Sequence, residues 1–350
     1  MRLNLIRLMV VALLVLVVGA VAACGSDDKT SSSGSGSSTK TAKKKIKIAM
    51  VTDIGGLNDR SFNALAYEGL KQSKSQLGAD IRVLTSKSNA DYVPNLSTLA
   101  RQKYDLVIAV GFLMADATDK VAKSFPNVNF AIIDNSQAAL KSKPANVEGL
   151  LFKEQESGYL AGYLAGLYVK KKGGKQVISS VGGVKVPPVD HYIAGYEAGA
   201  KKANPAIKTL HAYSQDFVDQ AKCKEIALNQ IGEGSQVVFQ VAGQCGLGAL
   251  DAAKEKGVQG IGVDADQSYL GSHILTSAVK KIDVAVLQTV KAVQDGKFQA
   301  GTDATFDTKS GGAGIGKISA AGQPFKAEVD KVQQDIAAGK ITDIPDTVAK

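Results

Sequence analysis

Carboxylate and aromatic residues end or follow several apolar segments of the chain, and their chemistry is that of reversible binding. Asp53, Asp134 and Asp264 each stand at the end of such a segment. Phe62 follows the same segment as Asp53, and Phe217 follows another. An ionised carboxylate only accepts hydrogen bonds, and a phenyl ring stacks on flat ring systems of any kind. Gathered in one place, these residues favour a polar ligand with a flat part.

Motifs for covalent, phosphate or metal chemistry are absent from the sequence. It contains no HExxH, no GxSxG and no GxxxxGK[ST] pattern, and its three histidines are scattered. We therefore predict no enzyme activity, no cofactor and no metal. The turn 243–248 is glycine-rich and follows a strand, so it suits either an oxyanion at a helix N-terminus or a tight connection.

Each candidate residue also has a purely structural interpretation. A carboxylate at a strand end often caps the next helix, and Ser61 can cap the helix that begins beside it. Phe62, in the first turn of that helix, either packs inward or faces a crevice. The prediction of a site therefore depends on whether the fold brings these residues together.

The elements that must position them alternate between short apolar runs and helical stretches. Near-continuous apolar strands between helices are typical of a parallel sheet covered on both faces. The first unit has predicted strands at 46–52, 80–85, 104–111 and 128–134, with helices at 61–77, 93–101 and 114–124. The second has strands at 176–183, 207–214, 236–243 and 258–264, with helices at 188–203, 219–231 and 247–256. The tail adds strands at 273–279 and 302–307 and helices at 282–295 and 326–338.

Two consecutive doubly wound α/β units follow from this pattern. Residues 154–172 between them form a predicted core-facing helix, because its tyrosines and leucines recur at helical spacing. Ligands of such sheets bind at the carboxyl ends of the parallel strands, where the polar candidates fall.

Length and composition agree with two compact units outside the membrane. The chain has 350 residues, 45% hydrophobic and 21% charged, so a polytopic membrane protein and a largely disordered chain are excluded. The formal charge of +9 alone suggests nucleic acid or an anionic surface. Five lysines within residues 40–47 supply much of that excess, however, which favours a place beside a membrane over nucleic acid.

The first 24 residues have the pattern of an export signal. Arg2 and Arg7 precede an uncharged run over 8–23, too short for a spanning helix. The run ends Val-Ala-Ala-Cys24, which resembles a bacterial lipobox and implies cleavage after residue 23 and lipidation of Cys24; the alternative is an ordinary signal peptide with a chance cysteine. Residues 24–45 are rich in serine and lysine and form a predicted flexible tether.

Seven segments together resemble the basic membrane lipoprotein family, the purine-nucleoside-binding lipoproteins that feed ABC transporters. They are VTDIGGLNDRSFNALAYEGL (51–70), FAIID (130–134), ESGYLAGYLAG (156–166), DFVDQAKCKE (216–225), VFQVAGQCGLG (238–248), GVDADQ (262–267) and LTSAVKKID (275–283). The match runs in order over about 46 to 300. It implies the type I periplasmic-binding-protein fold, an α/β fold in which two doubly wound parallel-sheet lobes are joined by a hinge and close on a ligand.

The resemblance also implies a role for individual residues. Phe62 and Phe217 match the two aromatics that sandwich the base, one from each lobe. Asp53 and Asp134 match carboxylates near the purine and the cleft floor. The remaining matches are Asp264 and Lys280 on the ribose hydroxyls, Gly243 close to the sugar, and Asn63, for which helix capping is the alternative.

Two departures from the family pattern involve cysteine. Cys223 stands where the family usually has glycine, and Gln244-Cys245 where it has Gly-Thr. Because exported proteins meet an oxidising environment, we predict a Cys223–Cys245 disulfide, with two inert buried thiols as the alternative. Gln244 would add a bulky amide beside the ribose site.

The resulting expectation is a membrane-anchored solute-binding protein that hands a purine nucleoside (inosine, guanosine or adenosine type) to an ABC permease. We expect it to face outside the cytoplasm as a lipid-anchored monomer that does not bind nucleic acid. Predicted bounds are 46–152 plus 278–302 for the N-terminal lobe and 153–277 plus 303–350 for the C-terminal lobe. A sugar or signal-molecule binder on the same scaffold, and a nucleoside-processing enzyme, remain the alternatives.

Overall fold

The computed structural model of the protein describes residues 45–349. The predicted signal peptide (1–23), the lipidation residue Cys24 and, except for Lys45, the tether (24–45) lie outside the described residues. No helix within 45–349 has both the length and the apolar character required to cross a bilayer.

The described residues alternate between strands and helices in the order that the sequence predicts. In chain order the elements are β1 (Lys47–Val51), α1 (Phe62–Leu77), β2 (Asp80–Leu84), α2 (Tyr92–Arg101), β3 (Leu106–Ala109), α3 (Ala115–Ser124), β4 (Asn129–Ile133), β5 (Val147–Phe152), α4 (Glu154–Lys172), β6 (Val177–Gly182), α5 (Pro187–Ala203), β7 (Lys208–Tyr213), α6 (Gln220–Gly232), β8 (Val237–Val241), α7 (Gly246–Glu255), β9 (Gln259–Asp264), β10 (Ile274–Lys280), α8 (Ile282–Gln294), β11 (Asp303–Phe306), β12 (Ala313–Ile315) and α9 (Lys326–Ala337).

The strands form two six-stranded sheets, one in each lobe. The first has the order β11-β5-β4-β3-β1-β2 and is parallel throughout. The second has the order β12-β10-β9-β8-β6-β7, in which only the edge strand β12 is antiparallel. The predicted fold class, two α/β lobes with parallel sheets, is therefore confirmed.

Alternation of side chains along the strands explains the burial of both faces of each sheet. In β1, Ile48 and Met50 pack toward α1 and α8, whereas Ala49 and Val51 pack toward α2 and α3. All four side chains are fully buried. Since successive residues of a strand point to opposite faces, a near-continuous apolar run is what a sheet covered on both sides requires.

Helices α4 and α5 pack closely because glycines face each other along their contact. A Cβ added at Gly162 would lie 1.9 Å from the carbonyl oxygen of Tyr196, and one added at Gly199 would lie 2.0 Å from that of Tyr159. The backbones therefore touch. Tyr159, Leu160 and Leu164 of α4 belong to the same buried cluster, as the helical spacing predicts.

The chain passes between the lobes after β5, after β10 and after β11, and the last two passages differ from the predicted bounds. Strand β10 stays in the second sheet through Lys280, although we predicted a boundary before residue 278. Strand β11 pairs with β5 in the first sheet, although we assigned it to the C-terminal lobe. The reason is that Phe306 stacks on Phe152, with ring centroids 5.1 Å apart, and so completes the edge of the first sheet.

Two strands, β5 and β12, were not predicted from the sequence. In β5, Glu148 and Gly149 interrupt the apolar run, so no periodicity is visible. Gly149 is needed because the Asp303 carboxylate packs against it, only 2.3 Å from where a Cβ would stand. Strand β12 has three residues and follows a turn, which is too short for a pattern.

Candidate ligand-binding site

The eight residues predicted to bind ligand line one cleft between the lobes. They are Asp53, Phe62, Asn63, Asp134, Phe217, Gly243, Asp264 and Lys280. The cleft contains about 630 Å³ of atom-free space, part of it open to solvent. It lies at the carboxyl ends of the parallel strands, because Asp53, Asp134, Asp264 and Lys280 all end or follow strands that pair in parallel.

Asp53 is held by the loop and helix that follow β1. Its Oδ1 accepts from the Gly55 amide at 2.9 Å and from Asn63 Nδ2 at 2.7 Å, and its own amide donates to Asn63 Oδ1. Asn63 Nδ2 also donates to Asp59 Oδ2 at 3.0 Å. Asn63 therefore bridges two carboxylates, and it neither caps the helix nor keeps a free hydrogen for a ligand.

The capping role that we gave to Ser61 belongs to Asp59. The Asp59 carboxylate accepts from the amides of Ser61, Asn63 and Ala64 at 2.7 to 3.1 Å, which satisfies the first donors of α1. The Ser61 hydroxyl is buried and has no hydrogen-bond partner. The prediction was wrong because a carboxylate two residues earlier reaches more of the helix amides than the short Ser61 side chain.

A buried ion pair joins the lobes at the floor of the cleft. Lys280 Nζ, at the end of β10, lies 2.9 and 2.7 Å from the two carboxylate oxygens of Asp134, which follows β4. It also contacts Glu154 Oε1, at the start of α4, at 3.2 Å. The three side chains are at most 5% exposed.

Asp264 accepts a hydrogen bond from a tyrosine of the second lobe. Its Oδ1 accepts from the Tyr192 hydroxyl at 3.1 Å, whereas Lys280 is engaged with Asp134 and Glu154. Asp264 and Asp134 both have left-handed backbones, with φ of 60° and 68°. Such strain in a non-glycine residue at a strand end aims the side chain away from the sheet and into the cleft.

Burial sets the protonation of the cleft carboxylates. It raises the pKa of Asp53 to about 6, against the hydrogen bonds from Asn63 and Gly55. It also raises the pKa of Asp264 to about 6, against the attraction of Lys280. Burial opposes the charge of Lys280, but the surrounding carboxylates outweigh it and raise the pKa of its ammonium. Lys280 is therefore a permanent cation beside carboxylates that titrate near neutrality.

The two phenylalanines occupy opposite lobes of the cleft and are both half-buried. Phe62, the first residue of α1, packs on the core of the first lobe, and its Cε1 lies 3.2 Å from where a Cβ on Gly111 would stand. Phe217, in the loop after β7, packs on the core of the second lobe. Its Cε1 lies 2.3 Å from where a Cβ on Gly183 would stand. Each ring thus rests against bare backbone on one side.

The cysteines departing from the family pattern form a disulfide behind the Phe217 loop. Cys223 and Cys245 are bonded, with Cα atoms 5.6 Å apart, and both are fully buried. Gln244, by contrast, lies in a separate groove beside Leu57 and Arg60 and does not line the cleft. Our expectation that its amide stands beside the ribose site was therefore wrong, because the left-handed turn at Gly243, with φ of 56°, directs the next side chain outward.

Sequence reasoning missed several residues of the site. Tyr192 and Gly111 line the cleft beside its charged and aromatic members, and Val186, Pro188 and Val189 line an apolar part. Glu154 does not line the cleft but contacts Lys280 from behind it. Glu154 and Tyr192 lie in segments whose pattern predicts only helices, so no local pattern identifies them as part of a site. Gly111 directly follows an apolar strand pattern, which was an available signal.

The carboxylate of Asp216, next to Phe217, faces its own loop. Its carboxylate accepts from the amides of Val218 and Asp219 and from Lys222 Nζ at 2.7 to 3.1 Å. These contacts lower its pKa to about 2. In residues 45–349, no group of three or more histidine, cysteine or acidic side chains could hold a metal ion.

Comparison with known proteins identifies the family. The family model described as ABC transporter substrate-binding protein PnrA-like, Bmp, matches residues 46–346. An ABC transporter nucleoside-binding protein, BmpA, of Lactococcus lactis subsp. cremoris is 36% identical over 319 residues, covering 85% of this chain and 88% of its own length. An uncharacterized lipoprotein of Pyrococcus horikoshii is 36% identical over 320 residues, covering 88% and 76%.

A solved structure gives the same result for the fold. The ABC transporter solute-binding protein from Aeropyrum pernix K1 superposes with a TM-score of 0.77 at 27% identity, covering 86% of this chain and 94% of its own. With the family model spanning nearly all described residues, the chain belongs to the Bmp family of PnrA-like ABC transporter substrate-binding proteins.

Proposed function

We propose that this substrate-binding protein captures purine nucleosides in the cleft between its lobes and delivers them to an ABC permease. The observation that carries the proposal is the composition of the cleft. An aromatic ring from each lobe, Phe62 and Phe217, shares it with four carboxylates and one permanent cation. A nucleoside has the matching parts, a flat base and a polyhydroxyl sugar.

The base is placed between the two phenylalanines. Stacking on an aromatic ring contributes about 1 to 3 kcal/mol per base and tolerates any base. Asp53 adds a preference, because an ionised carboxylate accepts from the N–H groups of a purine edge. Val186, Pro188 and Val189 provide the apolar surroundings that such a ring requires.

The sugar is placed near Asp264 and Lys280. A carboxylate that spans two vicinal hydroxyls forms charge-assisted hydrogen bonds, each worth roughly 1.5 to 3 kcal/mol. Lys280 gives one hydrogen to a hydroxyl in exchange for one of its two contacts with Asp134. A deoxyribose, which lacks one hydroxyl, binds less well on this account.

The cellular setting follows from the N-terminus and the family. The chain is exported, cleaved before Cys24 and held by lipid on that cysteine, with the lobes facing outside the cytoplasm. The name of the Pyrococcus relative, a lipoprotein, supports this setting. The protein acts as a monomer and leaves the nucleoside chemically unchanged.

A thermal-shift panel tests the ligand class. We expect inosine, guanosine or adenosine to raise the melting temperature. Free bases should raise it less, and simple sugars should leave it unchanged. Incubation of each hit with the protein, followed by chromatography, should return the intact nucleoside. A shift with sugars alone would favour the sugar-binding alternative, and release of free base would favour an enzyme.

A further inference from the structure

The loop that carries Phe217, residues 214–219, is held by three long-range backbone hydrogen bonds. The amides of Ser214 and Gln215 donate to the carbonyl oxygens of Gly182 and Gly183 at 2.8 and 3.1 Å. The third hydrogen bond holds Phe217 itself. The amide of Cys245 donates to the carbonyl oxygen of Phe217 at 3.0 Å. The donor is therefore a residue whose side chain is in the buried disulfide with Cys223.

The other end of the loop reaches the same disulfide through α6. Asp219 accepts from the Ala221 amide and begins the helix two residues after Phe217, and Cys223 lies in its first turns. Asp216 and Lys222 brace the loop locally by their ion pair. Cys223 thus fixes the helix that leaves the loop, and Cys245 fixes the amide that holds its carbonyl.

Small side chains fill most of the buried cluster between α6 and α7, and Ile226, Leu228 and Ile231 of α6 pack against it. The cluster around the two cysteines is composed chiefly of alanines, among them Ala227, Ala242 and Ala249. The helices approach so closely that a Cβ on Gly248 would lie 1.9 Å from the carbonyl oxygen of Gln220. Across this contact, the covalent bond links the helix that follows Phe217 directly to the residue whose amide holds the Phe217 carbonyl.

Two glycines lie against Phe217, one beside its ring and one beside its carbonyl. The Phe217 ring rests on Gly183, and Gly243 approaches the Phe217 carbonyl, where an added Cβ would be 3.4 Å away. Displacement of the loop therefore meets no bulky side chain at these two positions. Beyond the bonds of Ser214 and Gln215 at the start of the loop, the hydrogen bond from Cys245 is the one that holds the Phe217 backbone itself.

We infer that the Cys223–Cys245 disulfide is a positioning element for the cleft, which holds the Phe217 ring at the place where it stacks on the ligand. The two cysteines act through Phe217 and do not touch the ligand. This inference rests on the proposed nucleoside-binding function and adds the residues that preset one wall of the site. Presetting a binding group reduces the ordering cost of binding, so its loss lowers affinity.

A double-mutant cycle separates positioning from general stability. The variant Cys223→Ala/Cys245→Ala removes the bond and keeps the site apolar. We expect it to bind inosine about fivefold to tenfold more weakly in calorimetry. In a Phe217→Ala background the same change should cost less than twofold, because the positioned ring is gone.

The matched control is Phe62→Ala, which removes the ring of the opposite lobe. There, loss of the disulfide should keep its full fivefold to tenfold cost. An equal cost in all three backgrounds would overturn the inference, because it would show a general effect on the lobe. If the alanine pair fails to fold, Cys223→Val/Cys245→Ala refills the lost volume and serves in its place.

Hydrogen exchange tests the inference without a ligand. In the disulfide-free variant we expect amides of residues 214–219 to exchange at least tenfold faster, with residues 53–63 unchanged. Unchanged exchange in 214–219 would overturn the inference whatever the ligand is. Failure of the unaltered protein to bind any nucleoside would overturn the proposed function, and the exchange result would still decide the role of the disulfide.

Discussion

The polar residues of the cleft differ in how many hydrogen-bonding atoms they leave free for a ligand. Asn63 is committed to Asp53 and Asp59, and Asp53 Oδ1 accepts from Asn63 and Gly55. Asp53 Oδ2 lies on the side of Gly111 and Phe62, 3.2 Å from where a Cβ on Gly111 would stand. Asp53 is therefore a fixed acceptor with one oxygen directed toward the aromatic wall.

Removal of the Phe217 ring tests its contribution to affinity. We expect Phe217→Ala to bind inosine at least tenfold more weakly, because stacking on one base contributes about 1 to 3 kcal/mol. Calorimetric titration measures the change. The control is Tyr269→Ala, which removes an aromatic ring that is 61% exposed and outside the cleft, and should leave affinity unchanged. Equal affinity of Phe217→Ala and the unaltered protein would contradict the assignment.

Affinity should depend on pH through Asp53 and Asp264. Burial raises the pKa of each to about 6, so both are mostly protonated at about pH 5 and lose the charge that accepts from the ligand. We expect inosine affinity to fall about tenfold or more between about pH 7.5 and pH 5. Calorimetry across this range measures the fall, and Asp53→Asn should bind more weakly at pH 7.5 with a shallower pH dependence.

Unfolding does not explain that fall. The ordinary pKa of an aspartate is 3.8, below the folded value of about 6, so the native state binds more protons than the unfolded state between those pH values. As pH drops through this window, these two groups therefore stabilise the native state. A constant affinity from pH 7.5 to 5 would argue against carboxylates in direct contact with the ligand.

At the scale of elements, the strand pattern predicts most of the site because strands end where the ligand binds. Asp53, Asp134 and Asp264 were found by their position after apolar runs, and the sheet order places them together. Their hydrogen-bond partners were not predictable in this way. Glu154 and Tyr192 lie in buried helices, and only tertiary contact distinguishes a residue that supports the site there from a core residue.

The same limit explains the misplaced details. The cap of α1 comes from Asp59 and not Ser61, because both residue types suit the role and loop geometry decides between them. The strand β11 was assigned to the wrong lobe, since its partner β5 carries no visible periodicity. Patterns within one segment fix its type, whereas its partner depends on residues far along the chain.

The contact between α4 and α5 gives a stability prediction. Gly162→Ala should lower the free energy of unfolding by at least about 2 kcal/mol, because the new Cβ meets the Tyr196 carbonyl at 1.9 Å and the backbones must separate. Denaturant unfolding measures it. The control is Gly232→Ala, at the end of α6. An added Cβ there would have no neighbouring atom within 4 Å, so the free energy of unfolding should rise by up to about 1 kcal/mol. Similar effects of both substitutions would rule out the close backbone contact.

At the scale of the whole molecule, the lobes meet through the site itself. Lys280 belongs to the second sheet and Asp134 follows a strand of the first, so their ion pair spans the cleft. A second contact, from Gln267 Nε2 to the Arg60 carbonyl at 3.3 Å, also joins the lobes. Ligand contacts that replace part of the ion pair would couple occupancy to closure, which is what a permease must distinguish.

Membrane attachment gives a separate prediction. In a bacterial host, the unaltered chain should incorporate a palmitate analogue and fractionate with membranes. Cys24→Ser should do neither and should keep its nucleoside affinity, because residue 24 precedes the described lobes. Incorporation of label into Cys24→Ser would show that lipid is attached elsewhere.

Calorimetric titration with inosine is the decisive test of whether the cleft binds a purine nucleoside through both its base and its ribose. We expect saturable binding of one inosine per chain, with weaker binding of 2′-deoxyinosine and of free hypoxanthine. Saturable binding of a simple sugar together with no heat from any purine nucleoside would contradict it.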